Sequence, residues 1–329
     1  MKLFPLGHFQ ETLKINNLNT TFWFWFLTFC IIYPLNAQDH NLFSTNKDEI
    51  RHQISFRHDN DFLTFTDYYY SSGLFLSYDK VLSNGLFNSG HEQLGFALTQ
   101  EIYTPSRLTT TNLVEMDRPY AGFMALSLGW SLATNTHFFE AQLSLGLAGK
   151  ASGAGAFHRW YHNALDVPGL PTWAHELENK VHSNLYFKYA YELQLAPNNF
   201  SVHLALNPEV AVGTKSIYAQ PELLMHFGKR NAMNYSMAYN RIKSIEDELF
   251  FTLRAGYRFV NHNAMLEGHL LGDSSVFLVE PDNGYLFGGF DLKHRSRQNA
   301  YWFGLYFNQA ETKDTKGHSY IMLSYARRF

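Results

Sequence analysis

Histidine is the side chain best matched to proton transfer near neutral pH. In GKASGAGAFHRWYHNALDVPGLPTWAHELEN, residues 149–179, two histidines, His158 and His162, stand four apart. Four residues is about one helical turn, so the two would share a face. His162 is a candidate general base, although a histidine among sixteen is also readily a core or surface residue. The pair could instead hold a metal, but Arg159 rather than Glu follows the first, so the zinc-hydrolase H-E-x-x-H pattern is absent. A second constellation is FRHDNDFLTFTDYYYSSGLFLSYD, residues 56–79. Asp59, Asn60, Asp61 and Asp67 crowd one end of it, and Tyr70, Ser71, Ser72 and Gly73 follow. Carboxylates, an amide and backbone carbonyls are hard oxygen ligands and suit Ca2+ better than a transition metal. The alternative is a solvated acidic loop. Asn60 and Asp61 would point to opposite faces of a regular strand and can serve one site only where that strand frays. In EMDRPYAGF, residues 115–123, Asp117 and Arg118 read as an ion pair locking a turn, while Arg107 is a cation that could face a phosphate or an oxyanion. No G-x-S-x-G elbow or phosphate-binding glycine pattern is present.

The elements that would carry these residues are mostly strands. Period-two alternation predicts twelve: His52–Asp61, Tyr69–Lys80, Gln93–Tyr103, Tyr120–Ala133, His137–Gly149, Val181–Leu195, Phe200–Gly213, Ser216–Gly228, Leu249–Val260, Tyr285–Lys293, Ala300–Gln309 and Ser319–Phe329. Met265–Pro281 reads as a local extension, and Lys229–Asp247 as a long turn or an irregular strand. The joints alternate between short polar turns and longer loops, and the strands are long enough to cross a hydrocarbon layer at a tilt. An antiparallel transmembrane β-barrel follows, its all-β pattern interrupted once. At Gly149, Gly153 and Gly155 the backbone loosens, and AFHRWYHNAL changes to a helical period with Phe157, Trp160, Tyr161 and Leu165 near one face. Pro168 and Pro171 end that helix, and Thr172 would cap a second, TWAHELENK.

Composition agrees. The 329 residues are 46% hydrophobic and 17% aromatic with a formal charge of -3, which argues against a nucleic-acid partner, since that needs a basic field. Mean hydropathy is only -0.25, as expected when apolar and polar residues alternate. Residues 1–37 read as a signal peptide: Lys2 and Lys14, then TFWFWFLTFCIIYPL, then Ala37 at the cut. The one cysteine, Cys30, lies in that leader, so the mature domain, residues 38–329, has neither disulfides nor thiol catalysis.

Together HDNDF, YYYSSGLFLSYD, QEIYTPS, DRPYAG, GKASGAGAFHRWYH, PTWAHELEN, NPEVAVG and the final strand resemble the lipid A 3'-O-deacylase family of Gram-negative outer membranes, over nearly the whole mature chain. The resemblance implies a twelve-stranded barrel with a Ca2+-dependent site between the wall and the outer loops. It further implies that a histidine activates water against an acyl ester. Carried over, the catalytic positions are His162, Asn60 and, for the oxyanion, Arg107; the metal positions are Asp61, Asn60 and Ser71. Arg107 stands in for a family lysine that RLTTTNLVEMD lacks, and His158 replaces a family glutamine. The implied substrate is lipid A of lipopolysaccharide, reached sideways from the membrane with Arg107 or Arg118 near a lipid phosphate, by a monomer among outer-membrane lipids. The alternatives are a non-enzymatic barrel (a narrow pore or a lipid-binding, structural protein) and a phospholipase-type esterase.

Overall fold

The computed structural model describes residues 50–61, 66–87, 91–196 and 200–329. The leader 1–37, with Cys30, lies outside them. Fourteen strand segments form one antiparallel sheet whose ends meet. They make twelve crossings of a closed barrel: β1 His52–Asn60, β2 Tyr69–Val81, β3 Glu92–Thr104, β4 Ala121–Ala133, β5 His137–Ala148 and β6 Lys180–Ala196. Then come β7 (Ser201–Leu206 continued by Glu209–Gly213), β8 (Ser216–Gln220 continued by Glu222–Lys229), β9 Glu248–Asn263, β10 Gly284–Ser296, β11 Asn299–Asn308 and β12 His318–Arg328.

The two interruptions fall at Pro208 and Pro221, which cannot donate to a ladder. Both still accept, from Tyr189 N at 3.0 Å and Tyr257 N at 3.2 Å, so each strand resumes beside the same neighbour. Closure is the pairing of β1 with β12, from Gln53 opposite Arg328 to Asn60 opposite Ile321.

The alternation turns its apolar set outward. On β5, Leu143, Leu145 and Leu147 are exposed while Ser144 is buried, and on β4 Leu126 and Leu128 are exposed while Ser127 is buried. Buried polar residues such as Asn184, Glu192, Thr252 and Asp291 fill the interior. An apolar outside and a polar inside are what a membrane barrel requires.

The segment 230–247 folds into the lumen at the short-turn end as a plug rather than forming a turn or strand. Met233, Tyr239, Arg241 and Ile242 are buried there. Arg241 donates to Tyr239 O at 3.0 Å, His91 O at 3.2 Å and Ser131 Oγ at 2.6 Å. Arg295 of β10 donates to Arg241 O and Tyr235 O, both at 2.9 Å, and Arg328 of β12 to Ile242 O at 3.0 Å. Tyr239 reaches Glu192 of β6 at 3.0 Å, and Asn240 accepts from Gln53 of β1 at 2.7 Å. The plug is thus tied to strands around the whole wall.

At the other end lie the longer loops. The β5–β6 loop carries α1, Ala154–Leu165, and the β9–β10 loop a single helical turn, α2, Ala264–Glu267, where the sequence suggested an extension. The predicted second helix over TWAHELENK does not form. Thr172 Oγ1 does accept from Ala174 N at 3.3 Å, but Trp173 and His175 have φ of 55°, in the left-handed region. The cap is real and the helix is absent because the chain turns to insert Trp173 and Leu177 inward.

Candidate functional site

α1 begins where Gly153, at φ 73°, turns the chain through a conformation that L side chains rarely adopt. Its inward face is Ala154, Gly155, His158 and His162, whereas Trp160 is 61% exposed. The histidine face is the fully buried one, while Phe157 and Tyr161 are half-buried beside it. Gly155 permits this, because a Cβ there would stand 2.9 Å from the Trp173 ring.

His158 and His162 are 4% and 2% exposed and meet Asp67, from the β1–β2 loop. His162 Nε2 lies 2.9 Å from Asp67 Oδ2, and His158 Nε2 lies 3.5 Å from Oδ1. The two Nε2 atoms are 3.1 Å apart. Ser71 Oγ donates to Asp67 Oδ1 at 2.7 Å, and Trp173 Nε1 donates to His158 Nδ1 at 3.2 Å. Burial acts to raise the Asp67 carboxyl, but the hydrogen bonds from His158, His162 and Ser71 outweigh it and hold the group well below the usual carboxylate range.

Asp61 ties the loop from the other side. Its Oδ2 accepts from Thr66 Oγ1 at 3.0 Å and Tyr68 N at 2.8 Å. Burial, and then the charge on Asp67, push Asp61 up to about 8. β1 ends at Asn60, so Asp61 leaves the strand alternation, and Asn60 Nδ2 and Asp61 N approach Ser71 O at 3.4 and 3.3 Å. The fraying that would let neighbouring residues serve one site therefore occurs. Asn60, Asp61, Asp67, Ser71, His158 and His162 line a single small cavity, closed by Ile102, Phe157, Tyr161 and Val167.

Two cation donor sets can be tested here. The oxygens of Asn60, Asp61, Asp67 and Ser71 fit a hard cation, which would relieve the crowding of two buried carboxylates seen in the raised Asp61. The nitrogens do not fit a transition metal. The Trp173 indole can only donate, so neutral His158 keeps its proton on Nε2, the atom a metal would need.

The remaining expected residues stand apart. Arg107 is exposed, 3.2 Å from Glu115 of its own loop, and does not line the cavity. Arg118 is fully buried and donates to Glu311 at 3.3 Å and Met265 O at 3.3 Å, so it locks loops as the sequence suggested but cannot reach a lipid phosphate. Its expected partner, Asp117, instead accepts from Tyr69 Oη at 3.0 Å and Ser106 N at 2.9 Å. The sequence placed Asp67 among the acidic residues without pairing it to His162, and gave no role to Trp173. Neither pairing has a spacing signal: Asp67 and His162 lie on different loops, and Trp173 reaches back to His158 across an irregular stretch of one loop.

A closed barrel, apolar outside and plugged at its short-turn end, with a buried histidine–carboxylate site under its long loops, is an outer-membrane β-barrel protein that carries a site at its outer face. The family model described as Outer membrane protein LpxR matches residues 22–329. The chain therefore belongs to that family, the lipid A 3'-O-deacylase family its motifs resemble, and resides in the bacterial outer membrane. Its fold is similar to that of LpxR from Salmonella typhimurium, with a TM-score of 0.72 at 19% identity over 84% of this chain and 100% of that one. The translocator domain of the autotransporter NalP from Neisseria meningitidis aligns with a TM-score of 0.40 at 8% identity, over 95% of this chain and 97% of that one. No curated protein matches the sequence.

Proposed function

We propose that the protein is a calcium-dependent esterase that removes the 3'-acyloxyacyl chain of lipid A in the outer leaflet, acting as a monomer. The observation that carries this reading is the convergence of His162, Asp61, Asn60 and Ser71 on one cavity at the outer-loop end. His162 takes a proton from water, the resulting hydroxide adds to the ester carbonyl, and the proton then passes to the leaving alcohol. Asn60, Asp61 and Ser71 would hold Ca2+, which supplies electrophilic stabilisation of the oxyanion when bound. Arg107 could add a second positive charge only by leaving Glu115, which its exposed position allows. Buried walls around the cavity strengthen each of these electrostatic interactions.

The pore alternative is disfavoured by the plug, whose buried residues bond to strands around the lumen. The test is mass spectrometry of lipid A incubated with detergent-purified protein, with calcium, with EDTA, and with His162→Ala. Loss of one acyloxyacyl unit that needs both calcium and His162 is expected. Intact lipid A with folded wild-type barrel would refute the reading, and a lysophospholipid product from phospholipid would redirect it to a phospholipase.

A further inference from the structure

β1 turns alternate residues outward, and its outward row is Ile54, Phe56, His58 and Asn60. Ile54 and Phe56 are exposed and belong to the apolar outside of the barrel. Asn60 lines the site cavity. His58 stands between them, two residues or about 7 Å below Asn60 along the strand. Its cross-strand neighbours are both leucines, Leu74 of β2 and Leu323 of β12. An imidazole among leucines on the lipid-facing side does not serve packing, since ionisable side chains are costly there and mark function.

The hydrogen bonding of His58 points the same way. Its Nε2 lies 3.3 Å from Ser72 Oγ, a long contact. Ser72 is buried and lines the same cavity as Asn60 and Asp61, so this contact ties His58 to the site. The hydroxyl can donate to Nε2, which leaves the ring proton on Nδ1. Nδ1 has no hydrogen-bond partner among the described residues, and His58 is only half-buried. A polar atom on an apolar surface costs free energy until it is paired, and on this side a lipid is the molecule at hand to pair it.

The row also gives the substrate a direction. An ester carbonyl held at Asn60 leaves its acyl chain free to run down the wall, past His58 and onto Phe56 and the exposed Leu76. An acyloxyacyl chain carries a second, branch ester only a few bonds from the first, which brings it to the level of His58. We propose that His58, backed by Ser72, is a specificity-determining residue that donates from Nδ1 to the carbonyl oxygen of the branch ester. The inference rests on the esterase reading above. No bond of the branch ester changes; the contact selects a branched chain and aligns its first ester with His162.

The experiment uses full-length protein in detergent with calcium and two synthetic lipid A substrates, one with an acyloxyacyl and one with an unsubstituted acyl chain at the 3' position. Wild type should prefer the branched substrate in kcat/KM by about tenfold, the worth of one hydrogen bond. His58→Leu should lose that preference by slowing on the branched substrate alone, and His58→Gln, which keeps a donor, should recover part of it. Leucine suits this surface, so the barrel should stay folded by its heat-dependent gel mobility. An equal fall on both substrates would make His58 structural, and a wild type without preference or a His58→Leu that retains it would remove His58 from recognition; each overturns the proposal. Binding is read separately, by titrating both lipids into His162→Gln protein with and without His58→Leu. The added substitution should weaken binding of the branched lipid only. Should wild type leave both lipids intact, the esterase reading fails and this binding difference decides alone: its presence keeps His58 as the branch-ester contact, and its absence overturns that role.

Discussion

The plug offers the sharpest mechanical test, because the same barrel without it would be a channel. Arg241 makes three side-chain hydrogen bonds, to Tyr239 O, His91 O and Ser131 Oγ. Hydrogen bonds to a charged group are worth roughly 1.5–3 kcal/mol each, so Arg241→Ala forfeits on the order of 5–9 kcal/mol gross. Against that, no carboxylate pairs with this buried guanidinium among the described salt bridges, and removing an unpaired buried charge returns several kcal/mol, of order 3–6. The net loss is about 2 kcal/mol, which raises the open fraction by about 30-fold. Arg295 still grips Arg241 O and Tyr235 O, so the single variant should flicker rather than stay open. Arg241→Ala with Arg295→Ala removes both grips and should give sustained conductance in planar bilayers. Lipid A hydrolysis should persist, since the site lies at the far end. A double variant that is folded, by its heat-dependent gel mobility, yet silent in the bilayer would refute the plug as the seal.

Three further outcomes follow from other contacts. Gly155→Ala gains about 1 kcal/mol of helix propensity, but its Cβ would meet the Trp173 ring at 2.9 Å, and overpacking costs about 1–3 kcal/mol. Lipid A turnover should fall about tenfold while indole fluorescence shifts and the barrel stays folded. Burial pushes Glu176 up to about 7, so the folded loops bind a proton that the unfolded chain has released, and their stability falls as pH rises from about 4.5 to about 7. Protease resistance of the β5–β6 loop should decline over that window in wild type and be flat in Glu176→Gln. After chelation, Mg2+ should restore activity poorly compared with Ca2+, because it demands near-ideal octahedral geometry that Asn60, Asp61 and Ser71 on a loop edge do not impose; equal rescue in the lipid A assay would count against an oxygen-rich calcium site.

The strands were legible because a membrane barrel writes itself as alternation. Each of the twelve predicted segments overlaps an observed crossing, including both that prolines divide. The helical period within strands and the acidic strand end drew attention to His162 and Asp61, and the family resemblance to Ser71; the structure brings all three to one cavity. What could not be read depends on partners far along the chain. The plug has no periodicity, since its backbone is satisfied by arginines of β10 and β12 and not by a ladder. Arg118 finds Glu311 rather than its neighbour Asp117. The helical period grouped the aromatic residues of α1 on one face without saying which face is buried; Gly155 brings the His158 and His162 side against Trp173. Thr172 has the chemistry of a cap, yet left-handed Trp173 stops the helix after one bond.

Closure of the barrel and its plug are linked through Arg328. It sits in the last strand, and its guanidinium binds carbonyls of Ile242, Ser244 and Arg297 while β12 zips onto β1. That zipper joins the most distant parts of the described sequence, the kind of pairing that forms late. Ile242 and Ser244 belong to the plug, so one side chain of the closing strand also holds the seal in the lumen. Closure of the wall and anchoring of the plug are thus coupled through one residue, and loss of that side chain would loosen both together.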